Sequence, residues 1–184
     1  MNTILEQKEI YHEVNSITGS AGSIIFGEER FAGLPVSELV QDFGLNISVC
    51  NRSLERGTIA DAFDLLGECV FELNPRKVFL NFGETDMERE DFDIRRFLED
   101  YARLVGEIRG GCSCRVFIVP VLSEDARAAE LNGALCTLAK ETGSIFVDTG
   151  DIFRHEKPRL RLFSELMHYM RESRISFTEA MGAY

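Results

Sequence analysis

The chain has 184 residues, 45% of them hydrophobic and 28% charged, with 20 Lys and Arg set against 31 Asp and Glu. That length gives one domain, residues 1–184, room for a substantial core, and a formal charge of -11 repels nucleic acid backbones and anionic membranes, so neither is expected as a partner. Met1 to Glu9 lacks a basic stretch followed by an apolar run, no apolar segment is long enough to span a bilayer, and the five cysteines are odd in number; a reducing, cytoplasmic setting is the simplest expectation.

Thr3 to Asn15 reads as an amphipathic helix whose apolar positions are Ile4, Leu5, Ile10, Tyr11 and Val14. Turn residues from Ser16 to Gly22 lead into Ser23-Ile24-Ile25-Phe26-Gly27, a short apolar run of the kind a buried parallel strand shows where it empties into a loop. Ligands bind at such carboxyl ends in open α/β sheets, and Gly27 is expected to permit a close approach there, with Glu28 and Glu29 placing two acids at the rim. Pro35 suits the first turn of a short helix over Leu34 to Val40, and Asn46 to Cys50 reads as a second strand ending on Asn51. Thr58 is the expected cap of a helix reaching about Leu73, since Ile59, Ala62, Phe63, Leu66, Val70 and Leu73 share one face.

Asn74-Pro75 stops that helix, Lys77 to Phe82 is the third strand, and Gly83 lies at its end. An acidic turn to Asp91 precedes a long helix in which Ile94, Phe97, Leu98, Tyr101, Leu104, Val105 and Ile108 recur at three and four residues, up to Gly110-Gly111. Arg115 to Val119 is the fourth strand, Ser123 to Thr142 the next helix, and Ser144 to Val147 the fifth strand, with Asp148 just beyond. Past Asp151, the basic residues Arg154, Lys157, Arg159 and Arg161 read as a solvated loop, and Ser164 to His168 leads into a final helix at about Ser176. Cys50, Cys69 and Cys136 lie in apolar patterns, while Cys112 and Cys114 flank Ser113 in a Gly-rich turn with no second cysteine pair to complete a zinc site.

Five strands separated by helices predict an α/β fold: a three-layer α/β/α sandwich with a five-stranded parallel sheet, flavodoxin-like, with right-handed crossovers. Its informative loops are Gly27 to Gly33, Asn51 to Thr58 and Gly83 to Asp86, with Glu165-Leu166-Met167-His168 as a late addition. In these blocks the chain resembles the SGNH or GDSL hydrolases, especially the intracellular branch similar to platelet-activating-factor acetylhydrolase. The resemblance runs from about Gly22 to the final helix and includes Asn51-Arg52 after the second strand and the stretch from Asn132 to Asp148.

The resemblance implies an ester-hydrolase site and also shows where it is altered. Glu28 stands for the aspartate of the first block and Glu29 for its nucleophilic serine, and a carboxylate cannot replace that hydroxyl in ordinary acyl transfer. Ser53 takes the place of a glycine whose N–H helps to hold the oxyanion. Gly83 and Asp86 match the third block, while Thr85 replaces the asparagine that completes the hole, a loss of about 10²–10³ in rate for a working enzyme. His168 remains from the last block, with Glu165 as its orienting acid. The reading that follows is a catalytically degenerate relative of acyl-ester hydrolases that binds a small acylated or polar ligand. Convergence of Glu29, Asp86, Glu165 and His168 would share a proton between acids or hold a hard cation; no dedicated metal site and no cofactor is expected.

Three alternatives remain at this point. An active esterase would use Ser23, Ser53 or Thr85 as nucleophile, or water activated by His168. A phosphoacceptor receiver would exploit Glu28, Glu29 and Asp86, but lacks the lysine that this mechanism wants after the fifth strand. A scaffold would keep the fold for surface interactions alone. His12 and His155 are expected at the surface, and no dinucleotide or P-loop spacing of glycines occurs.

Overall fold

Strand β1 (Ser23–Gly27) runs between β2 (Val49–Asn51) and β3 (Lys77–Asn81), pairing with both in parallel. With β4 (Arg115–Ile118) and β5 (Ile145–Phe146) the sheet order is β2-β1-β3-β4-β5, all pairs parallel and flanked by helices as expected. This computed structural model describes residues 4–123, 125–150, 152 and 158–171. The chain divides into two compact units, Met1–Asp148 and Thr149–Tyr184, and the sheet belongs to the first.

Both faces of the sheet are apolar because the strands carry side chains alternately up and down from runs with no polar interruption. Ile24, Phe26, Val78, Leu80, Val116 and Ile118 join one core with residues of α4 (Ile59–Asp64), α5 (Leu66–Cys69), α7 (Ile94–Gly111) and α8 (Ala126–Glu141). Ile25, Phe79 and Phe117 are buried on the alternate positions, where the Phe79 and Phe117 rings stack at 4.5 Å between centroids. Of the seven positions predicted for α7, Phe97, Tyr101, Leu104, Val105 and Ile108 are buried and Ile94 and Leu98 pack partly buried against the core, while Asp93 caps the helix by accepting from the N–H groups of Arg95 and Arg96.

Three expectations are corrected. The helix expected from Thr58 to Leu73 has its cap, a reciprocal Thr58–Asp61 box, but breaks into α4, α5 and a 3-10 turn at Phe71–Leu73. A physical reason is competition for its carbonyls: Asn15 donates to Glu68 O at 2.6 Å, where a continuing helix would take that carbonyl for itself. Helix α1 (Ile4–Thr18) buries Asn15, leaving Leu5, Ile10 and Val14 exposed, because it docks through polar contacts: Tyr11 donates to Ser53 O, and Asn15 reaches Glu68, Glu72 and Arg52. Gly27 is required by the sheet itself, since a Cβ there would stand 2.6 Å from Asn81 O. Finally, the basic connection expected to be a loop is in part helical: α9 (Pro158–Arg171) includes Arg159 and Arg161, begins on a proline suited to a first helical position, and buries Leu162, Phe163, Leu166 and Met170. Arg154, Lys157, His155 and the helix expected near Ser176 fall outside the described residues.

Two short helices, α2 (Glu29–Ala32) and α6 (Glu84–Met87), form in loops that follow β1 and β3, and α3 (Val36–Asp42) follows Pro35 as anticipated. No described helix is long and apolar enough to cross a membrane.

Candidate functional site

The loops after β1, β2 and β3 are tied to one another by side chains that accept from backbone N–H groups. Gly83 adopts φ +130°, a left-handed angle that favours glycine, and turns the chain sharply after β3 so that the first N–H groups of α6 point back toward β1. They meet Glu28: its Oε1 accepts from Glu84 N at 2.5 Å and its Oε2 from Thr85 N at 2.6 Å. Gly83 offers no side chain to cap α6, so the acid that follows β1 does it instead. Arg30, the second residue of α2, pairs bidentately with Glu84 at 2.9 and 2.7 Å and fastens the same two loops.

Asp86 repeats the arrangement one loop further. Its carboxylate oxygens accept from Ile59 N, at the start of α4, at 3.3 and 3.1 Å. Asn51 joins the β1 and β2 loops, donating to Phe31 O at 2.6 Å and accepting from Ser53 N at 3.1 Å. On the far side, Asn132 of α8 bonds both Val121 N and Val121 O and so fixes the turn after β4.

Burial dominates the electrostatics of these acids. Glu28 is 0% exposed, and loss of solvent pushes its carboxyl up to about 7 against the opposing pull of the Thr85 side chain and the Thr85 and Glu84 N–H groups; Asp86 raises it further. Asp86 is raised to about 6, again by burial first, with the Ile59 N–H opposing. Tyr101 of α7 is fully buried and its phenol is held neutral, by burial first and then by the nearby Glu28 and Asp86 carboxylates. Sequence reading treats Tyr101 as an apolar core position, and nothing in its spacing reveals that its ring lies under two acids.

The structure separates the candidate residues by role. Glu28 and Asp86 are buried and interact, Gly83 shapes the turn, and Thr85 is held by Glu28. Glu29 opens α2 with its side chain exposed. Ser53 is buried, its N–H is bonded to Asn51 Oδ1, and its Oγ has no hydrogen-bond partner among the described residues. Ser23 lies at the start of β1, the opposite end of the strand from Gly27. Glu165 and His168 belong to the second unit, where Glu165 pairs with Arg161 at 2.5 Å along α9 and His168, exposed, meets the Tyr169 ring edge-on. His12 is exposed and bonded to Glu72 at 2.7 Å. Among the described residues, no group of three or more His, Cys, Asp or Glu is placed to hold a metal ion.

This architecture is an SGNH-hydrolase-like α/β fold, as solved structures of low sequence identity bear out. A Streptococcus pneumoniae protein provisionally described as a platelet activating factor superposes with a TM-score of 0.76 at 16% identity, covering 90% of this chain and 91% of that one. A Bacteroides fragilis protein provisionally assigned as an acylhydrolase gives 0.72 at 15% identity, covering 88% and 94%. An acetylxylan esterase from Geobacillus stearothermophilus gives 0.66 at 16%, covering 84% and 96%. No family model matches the sequence, and no curated protein matches it.

Proposed function

We propose that this protein is a catalytically degenerate relative of acyl-ester hydrolases that keeps a small polar-ligand site at the carboxyl ends of β1, β2 and β3. One observation carries the reading: the Ser53 N–H, the backbone donor that would face an oxyanion, is engaged internally by Asn51 Oδ1, and Thr85, at the position of the second donor, is itself held by Glu28, which accepts from its N–H. A donor already satisfied within the protein gains little from a developing oxyanion. At the nucleophile position stands the exposed acid Glu29, which cannot take part in acyl transfer as a serine does. Glu28 and Asp86, in place of the more widely spread set expected from the sequence, are the acids of this region whose carboxyls burial pushes up. The likeness to an acylhydrolase and an acetylxylan esterase suggests an acylated ligand.

A second reading has one observation in its favour. The Thr85 side chain hydrogen-bonds Glu28, a carboxyl pushed up to about 7, which would make a hydroxyl and base pair for an active esterase. Ligand binding is tested by thermal unfolding of the intact chain with acetylated sugars and short-chain acyl esters. The expected result is a saturable rise in Tm with at least one of them, lost in Glu29→Arg, as binding to the folded state requires. No shift with any of them would leave the scaffold reading.

A further inference from the structure

We infer that Cys112 and Cys114 form a dithiol site for thiol–disulfide exchange with small aliphatic disulfides. Their sulfurs stand 3.2 Å apart, and all five cysteines are free thiols. Two residues along an extended chain lie about 7 Å apart, at the limit of what a disulfide spans, so the local fold decides whether this pair can close. Here Cys114 N–H donates to Cys112 O at 3.0 Å, a three-residue turn that draws the two Cα atoms together and turns both side chains to one side. A disulfide requires about 2.05 Å between sulfurs, a closure that side-chain rotation can supply from this starting point.

The surroundings hold the turn in place. Cys112 is the residue at which α7 ends, its N–H bonded to Ile108 O and its thiol donating to the same carbonyl at 3.2 Å. Gly111, the last residue of α7, lies against the Phe71 ring so closely that a Cβ there would meet it. Both cysteines are half-buried and so partly open to a small reagent. Burial pushes the Cys114 thiol up to about 12, with the neighbouring Cys112 adding to the shift and Arg109 opposing it. We assign the first attack to Cys112 and its resolution to Cys114, an order that the two serine variants below separate.

In the exchange, Cys112 thiolate attacks one sulfur of the small disulfide, forming a mixed disulfide and releasing one small thiol. Cys114 then gives up its proton and attacks Cys112 Sγ, expelling the second small thiol. Two protein thiols become one disulfide while one small disulfide becomes two thiols, so hydrogens and electrons balance without another oxidant. The site lies at the amino-terminal edge of β4, the opposite end of the sheet from the loops around Glu28, and is independent of the proposed ligand site.

The test treats the full native chain with oxidised glutathione, quenches with acid, alkylates the remaining thiols and measures intact mass and peptide linkage. The expected product is lighter by two hydrogens, takes up two fewer alkyl groups, and contains a Cys112–Cys114 link. Cys114→Ser should instead accumulate a stable glutathione adduct at Cys112, while Cys112→Ser should react more slowly than the wild type. A persistent mixed disulfide on the wild type, a link to Cys50, Cys69 or Cys136, or no reaction under conditions where the unfolded chain reacts would each overturn the assignment.

Discussion

Glu28→Ala is expected to destabilise the protein by about 3 kcal/mol at pH 5, because it strips the acceptor from two N–H groups at the start of α6, each costing about 1–3 kcal/mol when buried and unpaired. Urea unfolding monitored by far-UV circular dichroism measures the loss, and the neighbouring Glu29→Ala supplies the control. Glu29 is exposed, so its truncation should change stability by no more than about 0.5 kcal/mol. Equal, small effects from the two substitutions would mean that Glu28 does not clamp the loops. The comparison is sharp because the residues are adjacent, identical in chemistry and opposite in environment.

The second large effect is on pH dependence. Glu28 and Asp86 both have native values above their ordinary ones, raised from 4.5 to about 7 and from 3.8 to about 6, principally by burial. Between the ordinary and the raised value the folded state holds more protons than the unfolded one. The stability these groups contribute is therefore complete below about pH 4 and is lost as pH rises through 6 and 7. Unfolding free energy is expected to fall by about 4 kcal/mol between pH 5 and pH 8. His12, raised by its bond to Glu72, acts in the same direction, while the lowered acids Asp91, Asp93 and Asp125 act in a more acidic range. Glu28→Ala should flatten the profile, so that its cost at pH 8 is smaller than at pH 5. A wild-type curve that rises steadily from pH 5 to pH 8 would contradict this account.

Much of the fold is legible in the residues. The apolar runs at Ser23 to Gly27 and Lys77 to Asn81, the spacing of Ile94 to Ile108 and the turn glycines give the parallel sheet and its main helices. Less legible are elements decided by tertiary competition. Asn15 captures a carbonyl that helix α5 would need to continue, and no local pattern near Leu66 announces it. The basic residues between Arg154 and Arg161 obscure the apolar stripe of Leu162, Phe163, Leu166 and Met170, although Pro158 signals a helix start.

The site shows the same division. The three loops that carry it follow from strand ends, but which of two adjacent glutamates turns inward does not. Glu28 has an extended backbone and faces the α6 N–H groups, whereas Glu29 begins a helical turn and faces out. That choice depends on the φ of +130° at Gly83, one strand away. Likewise, the use of Ser53 N by Asn51 Oδ1 is a long-range consequence of how the β1 and β2 loops meet, since Asn51 also holds Phe31 O.

The proposal of lost hydrolysis is tested most directly by p-nitrophenyl acetate turnover, comparing the wild-type chain with His168→Ala and Thr85→Ala over pH 6 to 9. The rate is predicted to equal that of buffer plus nonspecific protein in all three. Turnover in the wild type that falls at least about tenfold, equivalent to 1.36 kcal/mol in the barrier, on removing either the imidazole or the Thr85 hydroxyl would contradict it and establish a working esterase.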